Sequence, residues 1–380
     1  MINRRRLAAL AVTVTLAGAG APWITRAAAA GDPHQEQQWG LAAIGVPAAW
    51  AKSTGAGVRI GIVDTGVDLG HEDLAAKIVA RADCVDSLGD PAACRTGAPG
   101  DGVGQDDNGH GSHVAGIAAA VTGNSKGVAG VAPGAELVVV KALASDSGTV
   151  DDINAGVKWA VDHGARVVNL SINGGLGGSL LGSGAALTEG AEYAWEHNAV
   201  VVLAAGNQNL FGLGGSNYGD VHAVVVGATG HDDKMTSYSS PLGNARWALL
   251  APGGTNDSEP AHQVHSTYWV AGKTNQYGEL FGTSMAAPHV SGTLALLMAR
   301  GLSAQAAIDR MLATANRSIA CGSAQYCAGR LDAAAALANL ADLTPPTSAT
   351  TAPATAPTTV PTTTQTTAPA AGGPATPPAP

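Results

Sequence analysis

An α/β fold with a doubly wound, mostly parallel sheet and helices on both faces is what this sequence predicts, and three observations predict it. Short apolar runs alternate with helical patterns from about residue 33 to residue 343. Several of the runs are nearly unbroken Val, Ile, Leu and Ala, as parallel strands covered on both faces require. Hydrophobic residues make up 46% of the chain and charged residues only 13%, so there is enough apolar surface to cover such a sheet.

Taken in chain order, the first 30 residues stand apart. A basic run, Arg4–Arg6, precedes an apolar stretch from Leu7 to about Ala21, and Ala27–Ala30 offer small residues for cleavage. This is the pattern of a secretory signal peptide cut near Ala30, and the arginine run also suits the twin-arginine route. The strands VRIGIV (58–63), ELVVVKA (136–142), RVVNL (166–170), AVVVLAA (199–205) and VHAVVVGA (221–228) follow. Residues 150–163 read as a helix with Ile153, Val157, Ala160 and Val161 on one face. Thr149 and Asp152 supply a capping box at its start. Further helices are expected over 184–197 and 285–299. Residues 344–380 are a different material. Of these 37 residues, 32 are Pro, Thr or Ala and none is charged, which predicts an extended tail suited to O-glycosylation on Thr. The expected division is therefore signal peptide 1–30, one folded domain 31–343 and tail 344–380.

Composition also excludes functions. No apolar run beyond the N-terminus reaches the ~18–20 residues that span a bilayer, so a polytopic membrane protein is ruled out. Beyond residue 30 there are 16 basic against 29 acidic residues, and an acidic body repels phosphate backbones, so nucleic acid is not the expected partner. Of the three ways to pair four cysteines, two local disulfides, Cys84 with Cys94 and Cys321 with Cys327, are the simplest and fit an exported chain. No CxxC spacing supports metal binding.

Four segments carry chemistry. Asp64 ends the strand VRIGIV, where a buried carboxylate needs partners. His110 lies between two glycines where an Ala/Val-rich helix begins, and His113 follows three residues on, a spacing unlike that of the HExxH zinc helix. Ser284 opens a small-residue helix whose positive end favours developing negative charge, with Pro288 in its early part, where a missing N–H costs least. Asn207 follows a buried strand and can donate its amide to an oxyanion. Singly, each has a structural reading: a turn aspartate, a packed histidine, a helix cap, an Asn turn. Together they supply a nucleophile, its base, the carboxylate that fixes the base, and an oxyanion donor.

The segments DTG, HGSHVAG, AAGN and GTSMAAPHV, in the order Asp, His, Ser, resemble the subtilisin-like serine proteases over nearly all of residues 36–340. The resemblance implies a secreted serine endopeptidase acting on proteins or peptides. Asp64 would orient, His110 would act as base and acid, Ser284 would attack, and Asn207 would donate to the oxyanion. No cofactor is needed for this chemistry. It further implies that Ser171, Ile172, Asn173 and Gly174 form the substrate-binding strand, with Ser147 and Gly148 facing it. Asp73 matches a calcium-binding aspartate of some relatives, and the loop around Asn124 would complete a structural calcium site. Ser112 and Asn173 replace the family's usual Thr and Gly, the second within the expected P1 pocket. Only 34 positions separate Ala30 from Asp64, which leaves no room for a folding prodomain. In this the chain is similar to the mycosins of actinobacterial type VII secretion, although the membrane helix that ends those proteins is not expected here. Cell-wall or secretion-system association would suit the tail.

Other classes fit less well. A pepsin-like aspartic protease would need a second catalytic loop at Asp146-Ser147-Gly148 and an all-β fold. An α/β-hydrolase needs a GxSxG elbow and a later histidine, and the only later histidine, His289, lies in the same helix as Ser284. A non-catalytic adhesion or scaffold domain on a Pro/Thr stalk would need none of the four residues.

Overall fold

The strands form where the apolar runs stand. The computed structural model describes residues 31–144, 148–172, 187–207, 218–322 and 326–340, all within one compact unit. The expected signal peptide and tail lie outside the described residues. The five expected strands are β1 (Arg59–Asp64), β4 (Glu136–Lys141), β5 (Ala165–Leu170), β6 (Val200–Ala204) and β7 (Ala223–Thr229). The sequence patterns did not single out β2 (Ile78–Asp83), β3 (Arg95–Thr96), β8 (Trp247–Pro252) or β11 (Cys327–Arg330), which complete the sheet. They also missed the separate hairpin of β9 (Val264–Tyr268) and β10 (Gln276–Leu280). The nine-stranded sheet runs β11-β8-β7-β6-β5-β1-β4-β2-β3, and every pairing is parallel except that of β3 with β2.

The period-2 pleat divides the strands between two cores. Leu137 and Val139 pack with Ile60, Ile62, Val114, Ile117, Val290 and Leu294 on one face. Val138 and Val140 pack with Ile153, Val157 and Ala160 on the other. Each of these Val, Leu and Ile side chains, fully buried, stabilises the fold by about 1.5–3 kcal/mol relative to an exposed one. The helices supply the covers: α1 (Trp39–Ala43), α2 (Val46–Trp50), α3 (His110–Ala119), α4 (Val150–Asp162), α5 (Thr188–Glu196), α6 (Thr283–Met298), α7 (Ala304–Ala313) and α8 (Ala333–Leu337). At α4 the capping box forms as expected. The Thr149 hydroxyl accepts from the Asp152 N–H at 3.0 Å, and the Asp152 carboxylate accepts from the Thr149 N–H at 3.4 Å. All of α6 is buried, which its Ala, Leu, Met and Val content allows on every face.

Both local disulfides are formed, Cys84–Cys94 and Cys321–Cys327. The first closes a loop that leans on α4, where Ser87 N–H and Oγ–H and the Leu88 N–H all donate to Asp152 Oδ1. No helix among the described residues is long and apolar enough to cross a membrane.

Candidate active site

Parallel topology gathers the chemistry at one edge. Asp64 is the last residue of β1, Ser171 follows β5, Asn207 lies three residues past β6, and Gly148 lies in the connection from β4 to α4. These are carboxyl ends of strands β4, β1, β5 and β6, which are neighbours in the sheet, and that edge is where open α/β sheets place their sites.

Asp64 is fully buried, and its Oδ1 accepts from the Thr65 N–H at 2.8 Å and from His110 Nδ1 at 2.8 Å. A carboxylate can only accept, so Nδ1 carries the proton and Nε2 is left bare to take one. Burial pushes the His110 pKa down. The charge and hydrogen bond of Asp64, with the charge of Asp106, outweigh that and hold it above the ordinary 6.5. His110 is the first residue of α3, and Gly111 behind it cannot be replaced. A Cβ there would lie 2.0 Å from the Gly66 carbonyl oxygen and 3.1 Å from Asp64 Cβ. The close approach of β1 to α3 therefore depends on a missing side chain.

Ser284 is the second residue of α6, and its N–H is one of the four that helix geometry leaves without an intrahelical partner. Pro288 lies further into α6 than expected: it is the sixth residue, not part of the first turn. Its missing N–H is the one that would bond the Ser284 carbonyl. Ser171 replaces it, donating its hydroxyl to Ser284 O at 2.7 Å. Ser171 in turn accepts from Asn169 Nδ2 at 2.8 Å, and Asn169 Oδ1 accepts from Ser291 Oγ at 2.7 Å. Asn169, Ser171 and Ser291 are fully buried. This network ties the end of β5 to the helix that carries Ser284.

Asn207 is oriented by its partners. Its Oδ1 accepts from the Thr283 N–H at 3.0 Å and from Thr283 Oγ1 at 3.2 Å. The oxygen being so engaged, the Nδ2 points the other way. A Cβ built on Gly282 would lie 3.1 Å from Asn207 Nδ2, and 3.7 Å from both Asn207 Oδ1 and the Ser284 backbone nitrogen. Asn207 Nδ2 and the Ser284 backbone nitrogen therefore both lie near Gly282.

Ile172 is buried at the end of β5, beside Ser171, and Gly148 is described. Asn173, Gly174 and Ser147 lie outside the described residues. The remaining histidines of these motifs are structural. His113 is fully buried, meets the carbonyls of Val264 and Gly278 through Nε2, and is pushed down to about 3, first by burial and then by the nearby His110. His289 is pushed down to about 4 by burial and meets the Met285 carbonyl through Nδ1.

The calcium expectation meets a different geometry. Asp73 and Asn124 are together, but Asn124 turns its donor to the carboxylate: Nδ2 lies 2.8 Å from Asp73 Oδ1, while Asn124 Oδ1 accepts from the Lys126 N–H at 2.9 Å. Asp73 Oδ2 accepts from the Val128 N–H and the Tyr277 hydroxyl, both at 3.0 Å. Calcium needs six to eight oxygens turned toward it, and here donors occupy the carboxylate. The residues present do not fit the ion, and no group of three or more His, Cys, Asp or Glu suited to a metal occurs among the described residues.

Some residues that build the site were missed in the sequence. Thr283 lashes the AAGN loop to α6, accepting from the Gly206 N–H at 3.0 Å. Lys141, opposite Asp64 in the sheet register, donates to the Thr65 carbonyl at 2.8 Å and pairs with Asp107 at 2.8 Å. The signal for both was a polar residue inside a motif otherwise made of apolar and small residues.

The sequence model of the Subtilase family matches residues 55–340. Thermitase from Thermoactinomyces vulgaris is 39% identical over 277 residues, covering 72% of this chain and 86% of thermitase. Subtilisin DY from Bacillus licheniformis is 37% identical over 270 residues, covering 69% of this chain and 84% of that protein. Among solved structures, proteases from Pseudoalteromonas arctica superpose with a TM-score of 0.65 at 28% identity, over 81% of this chain and 98% of theirs. Fervidolysin from Fervidobacterium pennivorans, described as a keratinolytic enzyme related to subtilisin, gives 0.62 at 26% identity, over 81% of this chain and 46% of its own.

Proposed function

The chain belongs to the subtilase family and is a serine endopeptidase, and from that premise we propose that Asp64, His110 and Ser284 form its catalytic triad, with Asn207 and the Ser284 N–H as oxyanion donors. The observation that carries this reading is the 2.8 Å bond from His110 Nδ1 to a fully buried Asp64, which leaves the imidazole Nε2 as base. Ser284 Oγ attacks the scissile carbonyl carbon as its proton passes to Nε2. The carbonyl π electrons move to oxygen, where Asn207 Nδ2 and the Ser284 N–H donate to the developing charge. Collapse expels the amine, which takes the proton from His110, and leaves an acyl-enzyme. Water then repeats the sequence and releases the acid. Asp64 keeps its charge throughout and stabilises the imidazolium. The family's chemistry needs no cofactor.

The substrate is a polypeptide. Its backbone pairs with the segment after β5, Ser171 to Gly174, and with the facing segment at Ser147 and Gly148, in the manner of an added strand. The arginine run, apolar stretch and alanines of residues 1–30, with two disulfides, support export and action outside the cell. The Pro/Thr/Ala composition of 344–380 supports a tail attached to domain 31–343, suited to holding the enzyme at the cell envelope.

The test is the purified protein beside its Ser284→Ala variant, on casein and on a peptide library. The parent should cleave internal peptide bonds and label covalently with a fluorophosphonate, and the variant should do neither. Undiminished cleavage by the variant refutes the assignment.

A further inference from the structure

The N-terminus of α3, where His110 stands, can be accounted for donor by donor. The Gly109 N–H donates to Asp106 Oδ1 at 3.0 Å, the His110 N–H to Asn108 Oδ1 at 3.2 Å, the Gly111 N–H to Thr65 Oγ1 at 3.0 Å, and the Ser112 N–H to Asp106 Oδ2 at 2.9 Å. All four N–H groups that a helix start leaves unsatisfied are therefore bonded.

One residue lies behind most of these bonds. Asp106 is 1% exposed, and its carboxylate collects five donors. Oδ1 accepts from Thr65 Oγ1 at 2.8 Å and from the N–H groups of Asn108 and Gly109 at 3.0 Å each. Oδ2 accepts from the Ser112 N–H and from Ser112 Oγ at 2.5 Å. Thr65, which follows Asp64, passes the restraint on to Gly111, and Ser112 Oγ accepts from the Asp68 N–H at 2.8 Å. The loop leaving β1 and the first turn of α3 are thereby fastened to the same two oxygens.

We propose that Asp106 is a positioning residue of the protease reaction: it locks the Asp64 loop and the His110 turn into one rigid unit and adds a second negative charge at the turn that carries the imidazole. This rests on the triad reading above. Five donors need an acceptor at both ends of the side chain, so a carboxylate suits the place. An asparagine would set its NH2 against incoming N–H and O–H groups. The ionisable groups about His110 are Asp64 and Asp106, His113 one turn along α3, and, beyond Thr65, the Asp107–Lys141 pair. Both carboxylates favour the imidazolium that forms as Ser284 gives up its proton.

The experiment compares the parent, Asp106→Asn, Ser112→Ala and Thr65→Val by kcat and KM on a chromogenic peptide across pH. Loss of Asp106 should lower kcat by about 10–100-fold, the scale of a small misplacement of reacting groups, with KM little changed. The acid limb of kcat/KM should move to lower pH. Ser112→Ala and Thr65→Val keep the charge, so they should lower kcat less and leave the acid limb in place. An Asp106→Asn enzyme with parental kcat overturns the proposal, and so does a fall in kcat with the acid limb unmoved, which marks a structural role alone. If Asp106→Asn does not fold, Thr65→Val decides: a lower kcat at unchanged KM and melting temperature supports the proposal, and a parental kcat overturns it. Failure of the triad reading shows separately, as a parent that does not label with fluorophosphonate.

Discussion

Asn207 serves two ends of one side chain, and the two can be separated by substitution. Its oxygen holds the Thr283 N–H and hydroxyl at 3.0 and 3.2 Å, and its nitrogen is the proposed oxyanion donor. Asn207→Ala removes both. The lost donor should cost about 10²–10³-fold in kcat, or roughly 2.7–4 kcal/mol, the size that loss of one oxyanion donor has in subtilisin itself. KM should change little, because the bond strengthens only as charge develops. The lost acceptor leaves the Thr283 N–H without its partner, which should cost about 1–3 kcal/mol of stability. Asn207→Asp keeps the acceptor and the shape but turns an oxygen toward the developing anion. It should lose at least as much kcat as the alanine variant while retaining more stability. Steady-state kinetics on a peptide anilide, with urea unfolding of each variant in a Ser284→Ala background, measures both quantities. An Asn207→Asp enzyme within about threefold of the parental kcat would show that Nδ2 is not the donor and would refute the reasoning.

Three further outcomes follow from the geometry. Because Asp64 and Asp106 hold the His110 pKa above 6.5 against the lowering effect of burial, kcat/KM should fall with decreasing pH through a midpoint above that value; a midpoint below it in a pH–rate profile contradicts the arrangement. His113 and His289 are neutral in the fold, with pKa values about 3 and about 4, whereas the unfolded chain protonates them near 6.5. Stability should therefore be present above about pH 6.5 and decline toward pH 4 and below, and a urea midpoint independent of pH over that window would count against it. Ser171→Ala removes the hydroxyl that serves the Ser284 carbonyl in place of the N–H that Pro288 lacks, so it should cost about 1–3 kcal/mol in unfolding free energy, and an unchanged urea midpoint would argue against the bond.

The sheet was legible where its strands are apolar on both faces. VRIGIV, ELVVVKA, RVVNL, AVVVLAA and VHAVVVGA announce themselves because helices cover them above and below. β9 was hidden for the opposite reason. Its residues Ser266 and Thr267 are fully buried but polar, and their hydroxyls donate to the α3 carbonyls of His113 and Ser112 at 2.8 and 2.6 Å. That burial is satisfied by partners some 150 residues away, which periodicity does not register. β2 lacks the apolar run for a different reason: near the sheet edge, only Ala82 of its six residues is buried, and Arg81 and Asp83 are accommodated. Within the site, Asp64, His110, Asn207 and Ser284 were visible because each chemical group sits in a motif of small residues. Asp106 stood in the same motif as His110 and was passed over, since what it does depends on Thr65, 41 positions earlier in the chain. The calcium expectation rested on which residues were present. The structure turned on which way the Asn124 amide faced, and the Lys126 N–H settled that locally.

The polar groups around α3 and α6 set catalysis and stability against each other at His110. A histidine whose pKa rises on folding stabilises the fold while it is protonated, fully so below its unfolded value of about 6.5, and that contribution disappears as pH rises through the folded value. In the proposed mechanism, however, His110 must be unprotonated to accept the Ser284 proton. Asp64 is therefore most stabilising in the pH range where the enzyme is least active, and the working enzyme has given that contribution up. What then keeps Asp64 buried beside a neutral ring is the set of bonds that do not titrate with His110: the Thr65 N–H on its Oδ1, and the Lys141 ammonium on the Thr65 carbonyl. The rigidity of the site at its active pH comes from this second layer of donors, and the Asp64–His110 bond contributes direction more than strength.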